Sequence, residues 1–190
     1  MDGSDHPVAA AAPVTAATPA RQCGTCTMCC KTIEVTEIAK PQHVWCAHCT
    51  PGKGCGIYAS RPGECAIFSC GWLGDPKLGD EWRPDRSKFV ITFEPGTGRV
   101  FIACDPTAPS AWRREPYYSG ITSSLKLPGA ERKQIVILTG RKLTLLVRNG
   151  EYDLGEWNRG DDIVINYDRN DRVVKVAVVR AADKKAADVA

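Results

Sequence analysis

Residues 23–30 read CGTCTMCC, so this short stretch holds four of the ten cysteines in a chain of 190 residues. Cys29 and Cys30 are adjacent, and adjacent cysteines rarely pair with each other. Their side chains therefore need partners elsewhere, either in metal or in distant sulfur. A C-x-x-C spacing places two thiolates on one tight turn, from which both can reach the same tetrahedral metal ion.

The cysteine pattern continues as far as residue 70. The further cysteines of this region are Cys46, Cys49, Cys55, Cys65 and Cys70. Two C-x-x-C pairs, each followed by another cysteine, predict metal binding far more strongly than a single pair would. Nearby glycines and prolines supply the sharp turns that bring ligands together. Cys104 lies outside this region in an apolar run, and we predict that it is a buried core residue.

The composition is that of a globular protein with balanced charge. Hydrophobic residues make up 43% and charged residues 25% of the chain, and the formal net charge is +3. This balance argues against nucleic-acid binding through bulk electrostatics. The N-terminus carries acidic residues where a secretory signal has basic ones, and no apolar run approaches the roughly 18 residues of a membrane span. We expect a cytoplasmic protein without membrane contact, whose cysteines serve metal or redox chemistry rather than disulfides.

We predict an α+β protein with a small cysteine-rich, metal-stapled N-terminal unit and an antiparallel β-rich C-terminal module. Residues 1–21 are expected to form a disordered Ala/Pro-rich tail, and residues 22–74 the cysteine-rich unit. That unit has too few aliphatic residues to fold without metal or disulfide staples. Residues 75–180 are expected to contain a hairpin, a short helix and an antiparallel β-meander, followed by a frayed tail over 181–190.

The β-rich prediction rests on apolar runs separated by turn residues. KFVITFEPGTGRVFIACD (88–105) predicts a hairpin around its Pro-Gly-Thr-Gly turn. The runs QIVILT, KLTLLVR, DIVINY and RVVKVAVVR, all between residues 134 and 180, predict short antiparallel strands in a small sheet or partial barrel. PSAWRREPYYSGITSSLK (109–126) predicts a helix that starts near Ser110, with Pro116 limiting its first turn.

The motifs of residues 23–73 together resemble a known family. CGTCTMCC is followed by WCAHC (45–49), GCGIY (54–58), RPGEC (61–65) and SCGWL (69–73). This order is similar to that of the CxxCxxCC family, also called the YkgJ-type cysteine-cluster proteins. The family is described as a zinc- or iron-chelating domain, and a relative of it occurs in the flagellin lysine methylase. Its shared block C-x-I-Y-x-x-R-P-x-x-C corresponds to residues 55–65 here.

The resemblance implies a set of eight metal ligands. These are Cys23, Cys26, Cys29, Cys30, Cys46, Cys55, Cys65 and Cys70. Cys49 stands where many members have an apolar residue, and both it and His48 are possible additional ligands. Arg61 belongs to the shared block. Its guanidinium either donates to thiolates from outside the ligand set and offsets their charge, or lies on the surface.

Eight thiolates can hold two tetrahedral zinc ions, one iron–sulfur cluster with spare thiols, or a shared thiolate cluster. We predict zinc, with iron or an iron–sulfur cluster as the alternative, because structural zinc supplies folding energy to a unit with little core.

The leading hypothesis is a metal-binding protein whose cluster is mainly structural and whose β-rich module docks a protein partner. The alternatives are an iron–sulfur or thiol redox enzyme, and a zinc-stapled binder of single-stranded nucleic acid through WRREPYY (112–118). Whether the protein is an enzyme stays open.

Overall fold

The computed structural model describes residues 21–94 and 96–183. Its short helices and its sheets confirm the predicted α+β class. In these residues the α-helices are Cys29–Thr32 (α1), Gly63–Ile67 (α2), Gly71–Gly74 (α3), Pro84–Ser87 (α4) and Tyr117–Ser124 (α5). Single 3-10 turns lie at Thr36–Ile38, Tyr58–Ser60, Asp80–Trp82 and Ala111–Arg113. The strands are Cys49–Thr50 (β1), Gly54–Cys55 (β2), Phe89–Phe93 (β3), Val100–Cys104 (β4), Ile135–Thr139 (β5), Lys142–Val147 (β6), Gly150–Glu156 (β7), Asp162–Tyr167 (β8) and Val173–Val179 (β9).

Most of the two predicted tails, residues 1–20 and 184–190, lies outside the described residues. Arg21, the last residue assigned to the N-terminal tail, is firmly held. Its guanidinium donates hydrogen bonds to the backbone oxygens of Trp72 and Leu78, each at 2.7 Å. It also stacks on the Trp72 ring at 4.8 Å. Arg21 thereby fixes the start of the cysteine-rich region against α3. Among the described residues, none of the helices is both long and apolar enough to cross a bilayer.

A five-stranded sheet with the order β3-β4-β5-β6-β7 forms the centre of the molecule. The hairpin predicted around residues 94–99 is present as β3 and β4, paired antiparallel from Phe89↔Cys104 to Phe93↔Val100. β4 and β5 are parallel, with Val100 opposite Ile135. Parallel neighbours need a crossover connection, and the segment between them supplies it through α5. The remaining neighbours in the sheet are antiparallel.

Both faces of this sheet are covered. Successive strand residues point to opposite sides, so neighbouring residues of one strand pack in different clusters. Ile135 and Ile137 pack with Phe89 and with Tyr117 of α5 on one side. The intervening Val136 packs on the other side with Leu143, Leu145 and the hairpin formed by β8 and β9. Core residues that are essentially inaccessible to solvent include Phe89, Val90, Ile102, Val136, Ile137, Leu143 and Leu145. The sheet is therefore the rigid element on which the cysteine-rich region rests.

The C-terminal part differs from the predicted meander in two respects. Gly150–Glu156, which lies between the predicted strands KLTLLVR and DIVINY, forms strand β7 beside β6. β8 and β9 pair with each other as a separate two-stranded sheet instead of extending the central one. The reason is burial: Ile163 and Val173 are buried against the second face of the central sheet, so this hairpin packs over that face rather than at its edge.

The cysteine-rich region contacts the sheet through α3. Cys70 and Trp72 are buried with Val90 of β3 and with Met28 in one apolar cluster. Gly71 lies directly above the sheet, and a Cβ atom at this position would meet Cβ and Cγ2 of Ile91 at 2.9 Å. Such a distance is shorter than carbon atoms tolerate without movement. The glycine therefore allows α3, and with it Cys70, to approach the sheet closely.

Gly71→Ala is expected to destabilise the protein by about 1–3 kcal/mol, because an added methyl group overpacks this contact. Chemical denaturation, followed by the far-ultraviolet circular dichroism signal, measures the change. Gly74→Ala is the matched control in the same helix, because a Cβ atom there has only the Ser69 hydroxyl oxygen nearby, at 3.9 Å. Equal unfolding midpoints for the two variants would contradict the proposed close approach.

Candidate metal centre

All ten cysteines lie within the described residues, and all ten are free thiols. Nine of them fall between residues 23 and 70, on short helices and strands and on the turns and loops between them. α1 carries Cys29 and Cys30, the small hairpin of β1 and β2 carries Cys49 and Cys55, and α2 carries Cys65. Cys70 precedes α3 and accepts a hydrogen bond at its backbone oxygen from Leu73.

A first group of thiols surrounds a small cavity beside the sheet. The residues lining this cavity are Cys23, Cys26, Cys29 and Cys70, together with Phe68, Trp72, Leu73, Pro84 and Val90. Its volume is about 20 Å³, and a single water molecule needs roughly 10–15 Å³. The first C-x-x-C is a closed turn, in which Cys26 N–H donates to the Cys23 backbone oxygen at 2.9 Å. The cavity therefore has room for one small ion.

A second group of thiols gathers around the small hairpin. It comprises Cys30, Cys46, Cys49, Cys55 and Cys65, which influence one another's pKa values. The second C-x-x-C repeats the geometry of the first, with Cys49 N–H donating to the Cys46 oxygen at 3.0 Å. Cys46 N–H donates to the Cys30 oxygen at 3.0 Å, which joins this loop to α1. In the hairpin register Cys49 stands opposite Cys55.

The pKa values of the thiols reflect both burial and the neighbouring thiols. Burial raises the pKa of Cys65, and the nearby Cys30, Cys46 and Cys55 add to the effect. Burial likewise raises the pKa of Cys23, with further contributions from Cys70, Cys26 and Cys30. Thiols in such surroundings are protonated at neutral pH, so metal binding here must release protons.

Cys30 borders both groups. A hydrogen bond with the Cys29 thiol is the largest cause that raises the pKa of Cys30, and burial adds to it. A hydrogen bond with the Cys49 thiol acts in the opposite direction on Cys30, and the pKa of Cys49 itself is raised to about 12, mainly by burial. Of the two adjacent cysteines, Cys29 lines the small cavity and Cys30 does not.

Lys40 is a residue of this site that sequence reasoning missed. Only 5% of it is exposed, and its ammonium group donates to the backbone oxygens of Lys31, at 3.0 Å, and of Ile33. Burial lowers the pKa of Lys40, whereas the nearby Cys30 and Cys46 act in the opposite direction. A buried cation beside several thiols offsets the negative charge that the thiols acquire on losing their protons.

α2 is held in place by two carboxylates from different elements. Glu37 accepts hydrogen bonds from the N–H groups of Gly63 and Glu64, at 2.9 and 2.7 Å. Glu64 in return accepts from the N–H of Thr36 at 2.6 Å and from its hydroxyl group. The first of these carboxylates satisfies backbone donors at the start of α2. The clamp therefore fixes the helix turn that carries Cys65.

The basic residues predicted near the thiols occupy different positions. Arg61 donates to the backbone oxygens of Tyr58, at 2.7 Å, and Cys65, at 3.4 Å. It also stacks on the Tyr58 ring at 4.1 Å. Its charge acts to lower the pKa of Cys23, against the larger effects that raise it. His48 is exposed, and its backbone oxygen accepts the Gly56 N–H at 2.8 Å.

Two further candidate features lie outside residues 23–70. Cys104 is fully buried within the sheet core, as predicted, and burial raises the pKa of its thiol to about 12. In WRREPYY, Trp112 and Tyr117 are also core residues, and Arg113 forms an ion pair with Glu151. Two of the aromatic rings that could stack on nucleobases are therefore used for packing.

Within residues 21–94 and 96–183, no group of three or more histidine, cysteine, aspartate or glutamate side chains is arranged as a metal site in this structure. The donor types nevertheless suit zinc and iron, since soft thiolates favour both. Comparisons of the chain with protein-family models, with curated proteins and with solved structures find no match. The resemblance to the CxxCxxCC family therefore rests on the motifs alone and stays a prediction.

Proposed function

We propose that this protein binds zinc through the thiols of residues 23–70, and that the metal holds this region together. The observation that carries the proposal is the concentration of nine free cysteines between residues 23 and 70, four of which line one small cavity. A tetrahedral zinc site takes four such ligands, so nine thiols suffice for two ions. Iron is the alternative metal, because thiolates bind it equally readily in clusters.

The surrounding structure supports a mainly structural role. The predicted ligands are all sulfur atoms, whereas catalytic zinc keeps an open position and usually has histidine or carboxylate ligands. The α-helices and strands of this region have only two to five residues each. Elements this short have few internal hydrogen bonds, so metal ligation would supply much of the energy that orders them. Binding would draw the thiols inward and release their protons.

The proposal has consequences for the cellular compartment and for a protein partner, and it has one competing function. A reducing compartment such as the cytoplasm would keep the thiols available for metal. A partner could dock on the β-rich part, where Phe93 and Leu127 are both more than half exposed beside a shallow groove. A thiol or iron–sulfur redox enzyme is the competing function, because Cys29, Cys30 and Cys49 share hydrogen bonds.

Elemental analysis of protein purified without air and without added metal tests the proposal. We expect about two zinc ions per chain, each bound by four thiolates, and no visible absorption band. Iron with inorganic sulfide and a broad absorption band at about 400 nm would instead support the redox alternative. Protein that contains no metal, and that binds none when zinc is added under reducing conditions, would overturn metal binding altogether.

A further inference from the structure

We propose that a groove beside the central sheet binds a peptide segment of a partner protein in which a carboxylate lies close to an apolar side chain. The groove runs between the turn that joins β3 to β4 and the connection from α5 to β5. The inference rests on the partner docking included in the proposed function, and it does not require a bound metal. Three features of the groove favour such an occupant: exposed apolar side chains, open backbone, and an ammonium group without a partner.

Two large apolar side chains stand in solvent at the groove. Phe93, at the end of β3, is 58% exposed, and Leu127, which lies just after α5, is 57% exposed. Both line the groove, whose volume is about 440 Å³, and ligand pockets typically have roughly 300–1,000 Å³. Single exposed apolar residues are normal on a protein surface, but two that line the same groove indicate an interaction site.

Two glycines leave the backbone of the groove open. Gly98 and Gly129 both line it, with φ values of +68° and +78°. Apart from its chain neighbours, no described atom would lie within 4 Å of a Cβ atom added at either position. The left-handed backbone therefore explains the glycines better than packing does. Since neither residue projects a side chain, an extended peptide can approach the main chain on both sides of the groove.

The charge of the groove is positive. Of the described residues that line it, Arg132 and Lys133 are basic and none is acidic. The Arg132 guanidinium is already paired with Asp171 at 2.7 Å. The Lys133 ammonium group, in contrast, has no hydrogen-bond or ion-pair partner among the residues that the structure describes. Burial lowers the pKa of Lys133, and none of the described carboxylates acts in the opposite direction. A partly desolvated cation of this kind gains from a carboxylate that an occupant supplies.

The combination of these features restricts the chemistry of the occupant. A purely apolar segment would desolvate the ammonium group further without pairing it, which costs free energy. A basic segment would be repelled by Lys133. A segment with both a carboxylate and an apolar side chain pairs the cation and covers Phe93 and Leu127. Because Phe93 lies beside Gly71 of α3, the bound partner would sit next to the cysteine-rich region.

Selection from a random peptide library tests this inference. Short peptides displayed on phage are selected on the immobilised full chain, so that the natural partner need not be known. We expect the selected sequences to share an aspartate or glutamate within a few positions of a leucine, isoleucine or phenylalanine. The consensus peptide is then synthesised with a fluorescent label, and its affinity for the protein is measured by fluorescence polarisation.

Lys133→Gln should bind the consensus peptide about tenfold more weakly or worse, because a hydrogen bond between charged groups is lost. A peptide whose acidic residue is replaced by its amide should show the same loss with the wild type, and no further loss with Lys133→Gln. Phe93→Ser should weaken the binding of both peptides. Lys175→Gln is the matched control, since Lys175 is exposed on β9 and does not line the groove, and it should bind like the wild type.

Selected sequences without a shared acidic residue, or a consensus peptide that Lys133→Gln binds as tightly as the wild type does, would overturn the inference. A second copy of the chain is the other candidate occupant, and sedimentation of the free protein detects it. A dimer that Phe93→Ser dissociates would likewise overturn the inference. Far-ultraviolet circular dichroism checks the fold of each variant. Zinc content is measured on the same preparations, so a failure of metal binding is recorded separately from a failure of the groove.

Discussion

Cys30→Ser is expected to lose one of two bound zinc ions and to loosen the cysteine-rich region, while the central sheet stays folded. Cys30 is the thiol at the border of the two groups, hydrogen-bonded with Cys29 and Cys49. Serine keeps the size of the side chain and the backbone bonds, including the one from Cys46 N–H to the Cys30 oxygen. The change therefore removes a soft ligand and little else.

The expected effect is large because a ligand is lost. Replacing a group that only orients a ligand typically weakens metal binding roughly 10–100-fold, and removal of a ligand itself should exceed this range. Elemental analysis gives the stoichiometry of the variant. Amide hydrogen exchange should show faster exchange over residues 22–74 and unchanged protection in β4, β5 and β6, whose side chains form the core.

Cys104→Ala is the control for the loss of a thiol as such. Its side chain lies in the sheet core with Phe89 and Tyr117, so the variant should keep the full metal content. If Cys30→Ser kept two zinc ions per chain, Cys30 would not be a ligand. If Cys104→Ala lost metal, the site would extend into the sheet.

Local sequence patterns predicted those parts of the fold that depend on neighbouring residues. The hairpin of β3 and β4 follows from two apolar runs around a Pro-Gly-Thr-Gly turn, and the burial of Cys104 follows from its place in the second run. The parallel pairing of β4 with β5 could not be predicted in this way. It depends on the path of residues 105–134, which bring β5 back to the same edge of the hairpin. β7 was missed because its residues are largely exposed and include Gly150 and Gly155.

The candidate site shows the same division between local and distant effects. The spacing of the cysteines predicted which thiols share a turn, such as Cys46 and Cys49. It could not predict which turns meet, because that depends on how α1, the small hairpin and α2 pack. Lys40 was missed for a related reason. A lysine in a connecting segment is normally solvated, and only the folded chain shows that this ammonium group contacts the backbone oxygens of Lys31 and Ile33.

Asp105→Ala is expected to destabilise the protein by about 3 kcal/mol, because it leaves a poorly solvated ammonium group without its partner. Lys31 Nζ lies 2.7 Å from Oδ1 of Asp105, and the two side chains are 14% and 7% exposed. Lys31 belongs to α1, next to Cys30, and Asp105 directly follows β4. The pair therefore joins the cysteine-rich region to the sheet. Urea denaturation of the metal-loaded protein measures the loss.

A double-mutant cycle separates the pair from the other contacts of Asp105, which also accepts hydrogen bonds from Thr107. Lys31→Met keeps the length of the side chain and removes its charge. The double variant Lys31→Met/Asp105→Ala should be more stable than the two single effects predict, since no unpaired charge remains. A coupling free energy of about 1 kcal/mol or more would be typical of residues in direct contact. Strictly additive effects would show that the ion pair contributes nothing to stability.

The contribution of Asp105 should also depend on pH in a definite direction. Burial raises the pKa of this carboxyl group, but the hydrogen bonds from Lys31 and Thr107 outweigh burial, so the pKa lies below its ordinary value. A carboxyl group with a depressed pKa stabilises the folded state above its unfolded pKa of about 3.9, and this stabilisation is lost as the pH falls further. The difference in unfolding free energy between the wild type and Asp105→Ala should thus be constant from neutral pH down to about 5, and shrink below about 4. A difference that persisted unchanged into strong acid would mean that Asp105 acts through packing, and that its charge does not hold α1 to the sheet.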